Sequence, residues 1–557
     1  MRVILFFAAA MLLYTSSVSA QQTAIEKSEE FDEPEYGWNK LLQLKNGNTL
    51  FFHSTRKEGI DITVYDKQRK VVSTKTLESS LWDIRKMQQS KIAGLYEING
   101  DPVLFIVQVK NREPVLYRMQ ISGSTGALIK EDELGHLPKT NEWEGYALAF
   151  GHADASSIIV EKDPRGDCYA IIYFNGFAHD RSERIKVMHF DGTHKLIGSA
   201  FYDSPNGQFK YLRYIGAVVD GNKRVFVATY GHNGNSSDVA ARVIVSRLNT
   251  GDSAFAHKLL DFSEDFDDTK SIMLYNHVNN RLQLMTLSLT EKKRHFISGN
   301  TTSKYMTLLT YLDPETLDLI ATKPIVGKKI DEYGEKNIDK DYEFTGLPEQ
   351  MIINKDNTTT VLCEQMKVVV TTTSHNGVTT GSSTKTFLGA IGISQLSDTG
   401  SELKGYAISK QQRADDEFPL LYMSGRSKGI FAYPWHVSGF SFRRANVNQF
   451  LSYDYINAPN GNYVVFNDLP GNADKAEEDD NVKTVTSVSA TNTMCYKLNE
   501  PKLDKFYLFG EPDGKHSSTF CYIESSDYNK DMNTYATIIV ERDGRNKTAK
   551  IAWIKFM

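Results

Sequence analysis

A short run of β-branched, aromatic and aliphatic residues recurs eight times along this chain, and the recurrence narrows what it can fold into. It reads Ile62-Thr63-Val64-Tyr65, then Val115-Leu116-Tyr117-Arg118, Ile185-Lys186-Val187-Met188 and Val243-Ile244-Val245-Ser246. It returns as Met306-Thr307-Leu308-Leu309, Leu388-Gly389-Ala390-Ile391, Met494-Cys495-Tyr496-Lys497 and Ile551-Ala552-Trp553-Ile554. Each run reads as the third strand of a unit built as strand, turn, strand, variable loop, strand, turn, strand. Asn46-Gly47, Asp220-Gly221, Asn376-Gly377, Asn460-Gly461 and Asp543-Gly544 punctuate the strands. Such pairs reach positive φ cheaply, which tight hairpins require. Within strands the dominant pattern is period-two alternation. Helical periodicity is scarce, with Leu81–Ser90 the best candidate. The class is all-β.

Four-stranded units repeated around an axis are the blades of a β-propeller. Eight third strands predict eight blades. The last unit ends at Met557 without a fourth strand, and the segment Thr23–Glu35 is expected to supply it. Borrowing that strand from the other terminus closes the ring and removes a sheet edge. The spacing is uneven: the step from Leu388 to Met494 is twice that from Ile62 to Val115, and it holds an insertion near residues 413–446. Seven blades, or two stacked β-sandwiches, are the alternatives. In this pattern the chain resembles the large, divergent β-propeller class of secreted bacterial proteins. The resemblance implies a single domain over residues 21–557. No sialidase-type Asp-box and no paired-Gly kelch motif occurs, and the Trp82-Asp83 pair does not recur as a blade ending.

The chain opens MRVILFFAAAMLLYTSSVSA. Arg2 precedes an apolar run from Val3 to Tyr14, and Val18 and Ala20 take the −3 and −1 positions before Gln21. This is the pattern of a cleaved secretory signal. The run is shorter than the ~20 residues of a spanning helix. Residues 1–20 are therefore expected to be removed, and the rest exported to the periplasm or the exterior without stable membrane insertion. Export permits disulfides. Cys168, Cys363, Cys495 and Cys521 are widely spaced in strand-like runs, however, and are expected to pack as free, buried thiols. Lys and Arg number 64 against 69 Asp and Glu, and no segment concentrates basic residues. Nucleic acid and anionic lipid are thus discounted as partners.

Chemistry is harder to place. Val368–Phe387 reads as a long Thr-rich hairpin around Asn376-Gly377. The insertion carries Tyr433, Trp435 and His436, followed by Phe440 and Phe442. Aromatic rings stack on sugars and fill interface hot spots, so Tyr433, Trp435 and His436 are the candidate ligand-binding residues. The acidic run from Ala473 to Asn481 has adjacent carboxylates and no turn glycine, and reads as a solvated loop. Asp527–Asn533 opens like a calcium loop, but Met532 and Ile538 occupy the positions that need Gly and Glu, so a hairpin turn is expected. The Gly-His pairs at His152 and His232 read as turns. No H-E-x-x-H occurs, and no G-x-S-x-G nucleophile elbow is assigned. No catalytic residue, metal site or cofactor is assigned. The expectation is an exported, non-enzymatic binding or scaffold protein with a protein or glycan partner. The alternative is a glycan-active hydrolase or lyase with an axial site.

Overall fold

The computed structural model describes residues 23–34, 38–55, 59–111, 113–139, 157–175, 180–233, 239–261, 268–294, 301–375, 378–414, 450–473, 482–513 and 517–557. They form eight antiparallel sheets of four or five strands, the blades of a β-propeller. Blades 1 to 4 cover residues 38–76, 90–136, 157–202 and 211–260. Blades 5 to 7 cover 268–324, 347–414 and 454–507, and blade 8 covers 517–556 together with Thr23–Lys27. Blade 1 shows the order that the others repeat. Trp38–Gln43 is innermost, Thr49–Thr55 second, Gly59–Tyr65 third and Val71–Thr76 outermost. All eight runs picked out above hold the third place. In blade 8 the outer place is taken by Thr23–Lys27, with Thr23 opposite Phe556 and Lys27 opposite Ala552. The inner strand of blade 8 is split. Ser517–Cys521 and Asp527–Asn529 both pair with Thr534–Asp543, on either side of a 3-10 turn at Ile523–Ser525.

Burial peaks in the middle strands of a blade and is lowest in the outer one, and this decides which residues each strand can use. A blade is covered on both faces by its neighbours, so its middle strands need apolar residues at successive positions. Tyr169–Phe174 in blade 3 is buried throughout. The alternation expected from the sequence survives in third strands such as Gly59–Tyr65, where Ile60, Ile62 and Val64 have no exposed surface. Outer strands meet water, and Val71–Thr76 is almost wholly exposed. Successive residues of one strand serve different junctions: Leu50 and Phe52 pack toward blade 2, Phe51 toward blade 8.

An apolar cluster fills each junction between consecutive blades. A further cluster containing Leu41, Phe51, Phe520 and Trp553 joins blade 8 to blade 1. Polar contacts cross that last junction too: Trp553 Nε1 donates to Thr49 Oγ1 at 2.9 Å, and Lys40 Nζ to the Ser526 carbonyl at 2.7 Å. The four cysteines are free and buried, as their strand context predicts.

Three local readings change. Leu81–Ser90 is not an α-helix; it forms a 3-10 turn at Ile84–Gln89. Trp82 and Met87 are buried against blades 1 and 2, and this packing rather than an amphipathic stripe shapes the segment. His232 ends the second strand of blade 4 instead of making a turn, with its ring 5.2 Å from that of Tyr211 and 5.7 Å from that of Tyr230. An unanticipated helix, α1 (Lys328–Asn337), lies between blades 5 and 6 and rests on the outer strand of blade 6, Glu402–Ile408. Only Ile330 and Gly334 of α1 are buried, too few for a periodic signal. The Lys329–Glu332 pair was the local hint. Gly405 permits the approach, since a Cβ there would lie 2.3 Å from the backbone of Lys329 and Ile330. Gly405→Val should push α1 off the blade and cost about 1–3 kcal/mol. An unchanged urea midpoint in this variant would show that α1 does not depend on the contact.

Candidate functional site on the upper face

The strand order gives the two faces of the ring different connections. One face, called lower here, carries turns from first to second and from third to fourth strands. These are short, as at Leu44–Asn48, where Gly47 takes φ of 92°. The upper face carries connections from second to third strands and from one blade to the next. Over blades 6 and 7 these connections are long, and their bases are strongly built.

Blade 6 supplies the first part. Its second and third strands, Thr359–His375 and Val378–Leu396, run on past the inner strand Leu347–Ile353 as a paired hairpin from Met366–Leu388 to His375–Val378. This is the Thr-rich hairpin expected from the sequence. Where it leaves the blade, Glu364 is buried. Lys410 Nζ lies 2.5 Å from Glu364 Oε1, 3.1 Å from Ser452 Oγ and 3.3 Å from Gln412 Oε1. The Ser452 hydroxyl also donates to Glu364. Gln412 Nε2 continues to the Asn467 carbonyl of blade 7 at 2.9 Å. Lys410 and Ser452 flank residues 415–449, so one carboxylate ties down both ends of that segment. Leu388, Ala414, Phe450, Leu451 and Val485 form the apolar base beneath them.

Blade 7 supplies the second part. Val485 pairs in parallel with Gln412: Arg413 N–H donates to the Val485 carbonyl at 3.0 Å, and Val485 N–H to the Gln411 carbonyl at 2.9 Å. Asn472 bonds the Lys483 carbonyl and N–H at 2.8 and 2.9 Å, which gathers the ends of the 474–481 stretch. Burial pushes the neighbouring Asp468 up to about 6, against hydrogen bonds from Asn472 and the Leu469 N–H.

Between blades 7 and 8 the upper face opens into a groove of about 440 Å³. That size falls within the ~300–1,000 Å³ usual for small-molecule sites. Asn492 begins the third strand of blade 7 and is only 3% exposed. Its Oδ1 accepts from the Thr519 N–H at 2.8 Å, which fixes the orientation of the amide. Its Nδ2 has no hydrogen-bond partner among the described residues. Arg542 forms part of the wall, held by the Ser489 and Gly544 carbonyls at 2.8 and 2.9 Å. Phe509 adds a half-buried ring. Burial works to raise Glu541, but hydrogen bonds from Lys27 and Lys550, each 2.7 Å, hold its carboxyl below the ordinary range. Glu511, Asp513 and Asp543 are exposed at the rim.

The inner strands of blades 2 to 4 carry polar groups that the sequence reading did not single out. Glu161 on the inner strand of blade 3 is pushed up to about 7 by burial, with a smaller opposing pull from the Tyr214 hydroxyl. Tyr96 of blade 2 and Tyr214 of blade 4 are raised well above the ordinary phenol value by burial and by the Glu161 charge. Tyr96 Oη donates to the Val160 carbonyl at 3.0 Å. Another polar contact crosses a junction where Tyr535, on the second strand of blade 8, donates to Asp454 Oδ2 on the inner strand of blade 7 at 2.7 Å.

Tyr433, Trp435 and His436 lie outside the described residues, as do His152, the signal pattern and the acidic stretch from Asp474 to Asn481. Asp527–Asn533 forms the expected hairpin turn, closed by the Asp531 and Met532 N–H groups on Asn529 Oδ1. Among the described residues no group of three His, Cys, Asp or Glu is placed to hold a metal, and no helix is long and apolar enough to cross a membrane. Sequence reading missed Glu364, Lys410, Asn492 and Glu161. A signal existed for one of them, because Glu364 is a lone charge ending the apolar run Val361–Cys363, whereas Glu161 opens the charged run Glu161-Lys162-Asp163.

The molecule is thus a β-propeller with one elaborated face. Among solved structures it is similar to a polysaccharide lyase, at 10% identity and TM-score 0.36, covering 84% of this chain and 90% of that one. It is similar to prolyl oligopeptidase B from Galerina marginata, at 8% identity and TM-score 0.38, covering 94% of this chain and 56% of that one. It is also similar to the WD40 domain of SCAP from fission yeast, at 7% identity and TM-score 0.34, covering 96% and 98%. No protein-family model matches the chain, and no curated protein matches it.

Proposed function

We propose that this is an exported, non-enzymatic binding or scaffold protein in which the propeller is a rigid platform and the upper face makes the contacts. The observation that carries this reading is the buried construction at the base of that face. Glu364, Lys410, Ser452 and Gln412 form a desolvated polar network that anchors two segments at once. Such networks raise the precision with which a rigid scaffold presents its loops. Tyr433, Trp435 and His436 belong to the segment so anchored, and serve as aromatic contacts for a protein or glycan partner. Export rests on the Met1–Ala20 pattern.

The test uses the chain from Gln21, immobilised and exposed to a glycan array and to cross-linked envelope extract. Binding should fall at least tenfold in a folded Tyr433→Ala/Trp435→Ala variant. Undiminished binding would remove those residues from the contact.

One observation favours the second reading, a glycan-active hydrolase or lyase. Burial pushes Glu161, on an inner strand, up to about 7, a range that suits a general acid. Depolymerisation of any polysaccharide by the purified chain, lost in Glu161→Gln, would replace the binding reading with this one.

A further inference from the structure

The groove between blades 7 and 8 has features that the platform reading does not use. We infer that it is a binding site for a neutral, hydroxyl-rich ligand of the saccharide class. The inference deepens the binding reading above and rests on it.

Asn492 is the starting point. Its amide donor is buried and unpartnered among the described residues, and it lies in the wall of an open groove. A buried donor without an acceptor costs about 1–3 kcal/mol, so native structures seldom leave one without a reason. The amide cannot be turned to remove the problem, because Oδ1 is already engaged by the Thr519 N–H. Nδ2 itself has almost no exposed surface, so a ligand that partners it must displace part of the wall and bring an acceptor oxygen.

The rest of the groove narrows the class. Glu511, Asp513 and Asp543 ring the rim, and no cation is within ion-pair distance of them among the described residues. They repel a carboxylate or phosphate ligand and accept from hydroxyls. A simple cation has no acceptor for Asn492, and it would face the Arg542 guanidinium. A sugar fits both demands, since each hydroxyl donates as well as accepts. Phe509, half-buried against the core of this junction, adds apolar surface to the lining of the kind that packs on the C–H side of a pyranose. The volume of about 440 Å³ leaves space for more than one ring.

The test titrates the chain from Gln21 with cellobiose, maltose, lactose and N,N′-diacetylchitobiose, followed by saturation-transfer NMR and calorimetry. At least one should bind saturably. Asn492→Asp keeps the acceptor for Thr519 and removes the donor, so it should weaken binding about tenfold while the fold persists. Phe509→Ala should weaken the same ligand. No saturable binding by any of the four, or equal binding by wild type and both variants, overturns the inference. Tighter binding of a digalacturonate than of every neutral disaccharide overturns it as well. Binding that survives Asn492→Asp but is lost in Tyr433→Ala/Trp435→Ala overturns the groove while the platform reading stands.

Discussion

Lys410→Met lowers the apparent unfolding free energy in urea by about 3–5 kcal/mol, the largest single-site effect expected in this molecule. Glu364 and Lys410 both have side chains with no exposed surface. Removing the ammonium takes away the cation that faces this buried carboxylate, to which the Ser452 hydroxyl still donates. The attraction within the pair offsets a desolvation cost that each ion alone would bear in full. The double variant Glu364→Leu/Lys410→Met removes both charges and should recover most of the loss, because an apolar pair of similar volume is tolerated where one stranded ion is not. Limited proteolysis should report the same change as faster cleavage near residues 415–449 in the single variant. Single variants costing under ~1 kcal/mol, or losses that simply add in the double, would show that the cluster does not act as a unit.

Glu161→Gln should stabilise the protein at pH 8 and leave it nearly unchanged at pH 4.5. In the folded chain Glu161 holds its proton up to about pH 7, against 4.5 for an ordinary glutamate. Between those values the folded state binds a proton that the unfolded chain has released. Stability contributed by this group is therefore fully present below about pH 4.5, falls as pH rises, and levels off above about pH 7. The accumulated penalty is about 3 kcal/mol. Glutamine removes the titration but keeps a hydrogen-bonding side chain beside Tyr214. The difference in urea midpoint between variant and wild type should grow across that window and then plateau. A constant difference from pH 4.5 to 8 would mean that Glu161 titrates normally.

What was legible in the sequence depended on the range of the interaction behind it. The third strands showed because they are flanked by turns and keep alternation, as Ile60, Ile62 and Val64 do. The free cysteines showed because each sits in an apolar run. The helix α1 did not show, because its support comes from Gly405 on a strand far along the chain. His232 looked like a turn residue because Gly231 precedes it, yet the packed rings of Tyr211 and Tyr230 keep it in a strand.

The sequence alone determined the all-β class, the eightfold repeat and the place of each third strand, since period-two patterning and turn chemistry are written in neighbouring residues. The tertiary structure alone decided which polar residues meet. Glu364 and Lys410 meet within blade 6 although 46 residues separate them, and Glu161 lies between Tyr96 and Tyr214 of different blades. Asn492 and Arg542 share a groove although one belongs to blade 7 and the other to blade 8. Such meetings depend on how strands distant in the chain are brought around a common axis. No local pattern encodes that distance, and burial, which gives these groups their energetic weight, exists only once the ring is assembled.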